Sequence, residues 1–179
     1  EIWYGRLVND YIKGTFHFDG HPPLGRMSIA GFVKILGYTP DFSFENIGTK
    51  YPDKQYLMLR FLPSLAGSIL PIVVFLIMQE LGISLFASFL GSFLLVFDNG
   101  LLVQSRFILM DAFLLLYGFL SILFYLRYRH QKKKYLLFLA GIFGICAFSV
   151  KWSGLSFVGF PILIESLSIL SGLIKSGLR

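Results

Sequence analysis

The chain has 179 residues, 55% of them hydrophobic, with 20 Phe and 9 Tyr, and its mean hydropathy is +0.70. That much apolar surface excludes an ordinary soluble domain of this length, and long unbroken apolar runs exclude the short alternating strands of a transmembrane barrel. The net charge of +6 does not indicate a nucleic-acid partner, because the excess gathers in Arg127, Arg129, Lys132, Lys133 and Lys134 between two apolar segments, where the positive-inside rule reads it as a cytoplasmic loop.

The expected fold is all-α, a polytopic transmembrane helical bundle. Residues 1–56 are mixed and mostly polar, and read as an extramembrane or interfacial region. Within them Pro23 opens a short helix from Leu24 to about Leu36. Its apolar positions Leu24, Met27, Ile29, Phe32, Val33 and Leu36 are helix-spaced, with Arg26 and Lys34 as polar breaks, which describes an interfacial amphipathic helix. Gly37 and Pro40 end it, and a polar loop runs from Asp41 to Lys54. About five spans follow, over 57–81, 84–97, 107–126, 135–150 and 153–174. Pro63 and Pro71 sit inside the first, where membrane helices tolerate them. The second is short and must tilt, extend or be shielded. The lone Cys146, in an apolar run, reads as a small packing residue.

If 127–134 is cytoplasmic, the spans alternate outward from it. Residues 1–56, Asp98 to Arg106 and Lys151 then share the opposite face, with the turn at 81–83 and the Lys175/Arg179 end on the cytoplasmic side. Most unusual polar residues thus gather on one face, while Glu165, inside the fifth span, has no evident role.

The string Phe16 to Met27, FHFDGHPPLGRM, packs Asp19 and His21 beside the rigid Pro22-Pro23 pair, with Arg26 following. A helix cap does not need all of it, and titratable groups near a membrane are by default functional or paired. Glu1, Asp19 and His21 are candidate acid/base groups, since a desolvated carboxylate can take a proton from an alcohol nucleophile. Arg60 opens the first span and Lys151 closes the fourth, followed by Trp152. They read either as snorkelling anchors or as cations that neutralise a lipid-linked phosphate as it leaves. Arg106 and Asp111 flank the start of the third span and are candidates for an ion pair, with Asp98 and Asn99 as other partners for Arg106. No metal or cofactor is expected: there is no dinucleotide-binding or Walker pattern.

These residues resemble the protein O-mannosyltransferase family. Its first luminal loop carries an Asp-Glu pair and then a string like F-x-x-D-x-H-P-P-L-G-K-M. Glu1 matches the second member of that pair, and Arg26 replaces the usual Lys. Leu95 to Asn99 through Ser105 to Asp111 is similar to the family's L-x-D-N-x-L-x-x-S-R-F-I-L-x-D tract. Ser149 to Leu155 is similar to its S-x-K-aromatic-x-G-L tract. The resemblance implies a GT-C fold in the endoplasmic reticulum membrane, with residues 1–56 luminal. It implies inverting transfer of mannose from dolichyl phosphate mannose to Ser/Thr of secretory proteins, and a homo- or heterodimer with a paralogue. It further implies Glu1 in the acceptor and catalytic site, the family's catalytic Asp one residue upstream of it, and Arg60 and Lys151 near the lipid phosphate. Asp19, His21, Pro22, Pro23 and Arg26 would shape the luminal loop, and Asp98, Asn99, Arg106, Asp111 and Trp152 would support the donor site. The chain reads as the N-terminal fragment of a larger GT-C domain. Alternative readings are another polyprenyl-phosphate sugar transferase of GT-C type and a non-catalytic subunit that keeps the fold.

Overall fold

The computed structural model describes residues 1–177, so Arg179 of the expected cytoplasmic end lies outside the described residues, as does the Lys175 side chain. The described residues form eight α-helices and one 3-10 turn: α1 (Ile2–Lys13), α2 (Leu24–Ile35), α3 (Tyr56–Glu80), α4 (Leu85–Val96), α5 (Asn99–Arg106), α6 (Asp111–Gln131), α7 (Lys134–Val150), the turn Trp152–Gly154, and α8 (Leu155–Gly177). The α-helical bundle expected from the sequence is what forms.

Helix α1 was not distinguished from the polar region around it. It buries Gly5, Leu7, Val8 and Asn9 and stops at Gly14, whose φ of 71° places it in the left-handed region. Helix α2 matches the expected interfacial helix closely. Arg26, however, is no polar break on a wet face: it is 2% exposed.

The spans also differ in detail. By length and composition α3, α6 and Trp152–Gly172 are able to cross a membrane. The second expected span is a 12-residue helix that bends by 55° into α5. Asp98 causes the break: its carboxylate caps α5 by accepting from the Leu101 N–H at 2.7 Å. The third span begins at Asp111 rather than Phe107 and continues to Gln131. The supposed loop 127–134 therefore shrinks to a tight turn at Lys132, with φ of 56°, and Lys133.

Helix α6 is the centre of the bundle, packed most extensively on α7 and α3. Its Phe113, Leu114, Leu116 and Leu123 meet Ala66, Val73 and Ile77 of α3 and Ala147 and Val150 of α7 in one core. Close crossings rest on small residues, the usual device where lipid supplies no hydrophobic drive between helices. Ser121 donates to the Ala140 carbonyl across α6–α7 at 2.8 Å, and Gly67 lies against Ser105 across α3–α5. Many Phe and Leu of α4 and α8 remain exposed, apolar faces suited to lipid.

Candidate active site

Two polar clusters form at one end of the bundle, joined by the short segment 107–110 between α5 and α6. The first is centred on Glu1. Its Oε1 accepts from Arg60 Nε at 2.6 Å and from the Ile108 N–H at 3.2 Å. Its Oε2 accepts from Arg60 Nη2 at 2.7 Å and from the Tyr51 hydroxyl at 3.3 Å. Four donors occupy a carboxylate with about four lone-pair sites, so Glu1 is saturated and fixed. Arg60 grips it in the bidentate fork that a guanidinium provides and an ammonium does not. The guanidinium lies 4.8 Å from the Tyr56 ring centroid and 5.1 Å from that of Phe107, within cation–π range. Burial and the Glu1 charge push the Tyr51 phenol up, keeping it a donor. Beside this group opens a cleft of about 480 Å³ lined by Glu1, Trp3, Ile47, Phe107 and Leu109.

The second cluster holds the FHFDGHPPLGR string against the end of α7. Arg26 reaches back from α2 to pair with Asp19 and donates to the His21 and Pro22 carbonyls at 2.6 and 3.0 Å. Both carbonyls precede Pro23, whose oxygen takes the Met27 N–H at the start of α2, so the guanidinium satisfies oxygens that the helical ladder does not reach. Asp19 also accepts from the His21 N–H at 3.4 Å. The Trp152 indole donates to the Gly20 carbonyl, tying the string to the 3-10 turn. Lys151 donates to Asp111 at 3.0 Å, and that hydrogen bond raises the lysine's pKa. A second cleft of about 510 Å³ lies here, lined by His21, Pro22, Pro23, Met27, Phe148 and Trp152.

The structure therefore brings together Glu1 with Arg60, and Asp19, His21, Pro22, Pro23 and Arg26 with Trp152. It also brings together Asp111 with Lys151. The expected Arg106–Asp111 pair does not form: five residues and a helix break separate them, Asp111 turns to Lys151, and Arg106 is exposed. Asp98 does not meet Arg106 either, since its carboxylate is used as a cap. Asn99 is simply the first residue of α5. Sequence reasoning missed Tyr51, Tyr56, Phe107 and the Ile108 N–H around Glu1. The clustered aromatics flanking Arg60 in sequence were the available signal for the tyrosines, whereas a backbone donor leaves none.

At the far ends of α3 and α6, about 25–30 Å away at 1.5 Å per residue, sits a separate charged group. Glu80 accepts from Arg127 at 2.9 Å and meets His130 at 3.1 Å. Glu165, unexplained from the sequence, accepts from the Tyr125 hydroxyl at 2.8 Å and lies 3.9 Å from Arg129.

Fold and site together define a multi-pass membrane protein on the GT-C plan, its chemistry gathered at one end of a helical bundle. Residues 1–176 match the family model described as dolichyl-phosphate-mannose-protein mannosyltransferase, and the chain belongs to that family. It is 39% identical over 160 residues to protein O-mannosyltransferase 1 of Drosophila pseudoobscura pseudoobscura, covering 86% of this chain and 18% of that protein. It is 37% identical over 163 residues to dolichyl-phosphate-mannose–protein mannosyltransferase 4 of Schizosaccharomyces pombe, covering 86% and 21%. A solved Saccharomyces cerevisiae protein O-mannosyltransferase complex bound to the sugar donor superposes with a TM-score of 0.86 at 28% identity, over 94% of this chain and 24% of that one. The chain spans about a fifth of the length of the curated relatives it matches.

Proposed function

We propose that the protein transfers mannose from dolichyl phosphate mannose to Ser/Thr hydroxyls of secretory-pathway proteins, with inversion, at the luminal face of the endoplasmic reticulum membrane. The observation that carries this reading is the juxtaposition of the clamped Glu1 and the Lys151–Asp111 pair at one end of the bundle, in a chain that belongs to this family. Lys151 uses one of its three donors on Asp111. The other two are available to a phosphate, and charge placed where the leaving group forms lowers the barrier. Arg60, already committed to Glu1, serves chiefly to fix that carboxylate. Glu1, saturated by its four donors, fixes Arg60, Tyr51 and the Ile108 backbone around the site rather than binding the acceptor itself, and the acceptor's proton goes to the Asp that the family resemblance places just before it. The FHFDGHPPLGR string, stiffened by Arg26, forms the wall of the second cleft. The yeast complex supports action as a dimer with a family paralogue. The dolichyl donor is the membrane partner, and the acceptor is a Ser/Thr-containing polypeptide. No metal or cofactor is required by this scheme.

The test uses the full-length protein in microsomes supplied with dolichyl phosphate mannose and a Ser/Thr-rich peptide. Wild type transfers mannose, and Glu1→Ala and Arg60→Ala each lose about a hundredfold or more at unchanged protein level, the scale of losing a preorganised catalytic contact. Absence of transfer by well-folded wild type, with candidate partners supplied, would instead favour a non-catalytic subunit.

A further inference from the structure

The end of the bundle opposite the clefts carries a set of cations that the proposed reaction does not use. Glu80 and Glu165 are the carboxylates paired with it, and both are already engaged, by Arg127 with His130 and by Tyr125 with Arg129. Lys132, Lys133 and Lys134 are exposed and uncompensated among the described residues. They do not sit on a loose loop. Helix α6 is continuous to Gln131, Lys132 turns the chain with φ of 56°, and α7 begins at Lys134. Lys132 and Lys133 thus form a two-residue turn, and Lys134 opens α7, at the end of two closely packed helices. Lys132 Nζ lies 5.8 Å from the Tyr128 ring centroid, and Tyr135, 55% exposed, stands on the other side of the turn. Tyrosines at this position belong to the headgroup level of a bilayer.

We propose that the α6–α7 turn is a binding surface for anionic phospholipid headgroups. A leaflet rich in such lipids attracts basic residues at its surface, each lysine favouring association by roughly fivefold. The positive-inside rule needs these charges only while the chain inserts. The two-residue turn, the spent carboxylates and the flanking tyrosines hold them against headgroup phosphates in the folded protein as well. This inference is independent of the transfer reaction.

The experiment reconstitutes the full-length protein in nanodiscs of equal phosphatidylserine and phosphatidylcholine. Mass spectrometry then measures the lipid that stays bound after mild detergent exchange. Wild type retains an excess of phosphatidylserine, and high salt removes most of it. Replacing all three lysines with Gln lowers the excess about fivefold or more, whereas replacing them with Arg preserves it. Single and paired Lys→Gln variants, checked for orientation by protease mapping, show a stepwise decline even where the triple variant inserts poorly. An excess that is unchanged across this series, or insensitive to salt, overturns the proposal.

Discussion

At the residue scale, what matters is how completely each charged group is committed. Glu1 accepts four hydrogen bonds, Arg26 is buried among carbonyls and Asp19, and Lys151 combines a partner with two donors to spare. The same reasoning gives a pH prediction for the segment after α2, which packs on α1. Tyr38 is 7% exposed; its hydroxyl donates to Asn9 at 3.0 Å, and Asn9 in turn donates to the Phe42 carbonyl at 2.7 Å. Burial pushes the Tyr38 phenol up to about 12, above the ordinary value of about 10. The unfolded chain therefore loses that proton first as pH rises. Tyr38's contribution is complete below about pH 10 and is lost between about 10 and 12. Tyr38→Phe, which strips a buried acceptor of its donor, costs about 1 kcal/mol at pH 8. Thermal melts of both proteins across pH 8 to 12 should show the gap closing above pH 10, whereas a gap of constant size would contradict the assignment.

At the element scale, the helices are set by their punctuation and their crossings. Helix α2 was legible because Pro23, helix-spaced apolar residues and Gly37 mark it. Helix α1 carries the same kind of signal, with Ile2, Val8 and Ile12 on one face and Gly14 beyond its end, but it is diluted by Arg6, Asn9, Asp10 and Lys13. The bend at Asp98 was legible only as a polar interruption, because a cap depends on where the carboxylate points. Two glycines separate rigid from yielding crossings. A methyl group at Gly67 would overlap the Ser105 Cβ, which is fixed by the α5 backbone, whereas at Gly25 it would press on the flexible end of Met110, 2.6 Å from the sulfur. Gly67→Ala should therefore destabilise by about 1–3 kcal/mol. Gly25→Ala should be nearly neutral, the helical gain of about 1 kcal/mol offsetting the strain. Melting of the two variants in detergent checks this, and equal losses would show that the α3–α5 crossing is not the tighter one.

At the scale of the whole molecule, the bundle separates two kinds of charge. The clefts, Glu1, Arg60, Asp111 and Lys151 lie at one end, and Glu80, Arg127, Arg129 and His130 lie at the other. The charge pattern of the sequence anticipated that partition, because a span inverts the chain whatever it does. Motif residues were legible as a set, but their pairing was not. Asp111 lies five residues from Arg106 yet binds a lysine 40 residues away, a choice made only when α6 and α7 pack side by side.

The proposed function turns on whether the Lys151 end of the bundle receives an anionic lipid phosphate. Equilibrium binding of dolichyl phosphate to the full-length protein decides this, comparing Lys151 with Lys151→Met in a background where Lys132, Lys133 and Lys134 are replaced by Gln, which removes the lysines of the opposite end. Binding at least about tenfold weaker for Lys151→Met, the scale of one charge-assisted hydrogen bond, is the expected result. Equal affinity with and without the Lys151 side chain would contradict it.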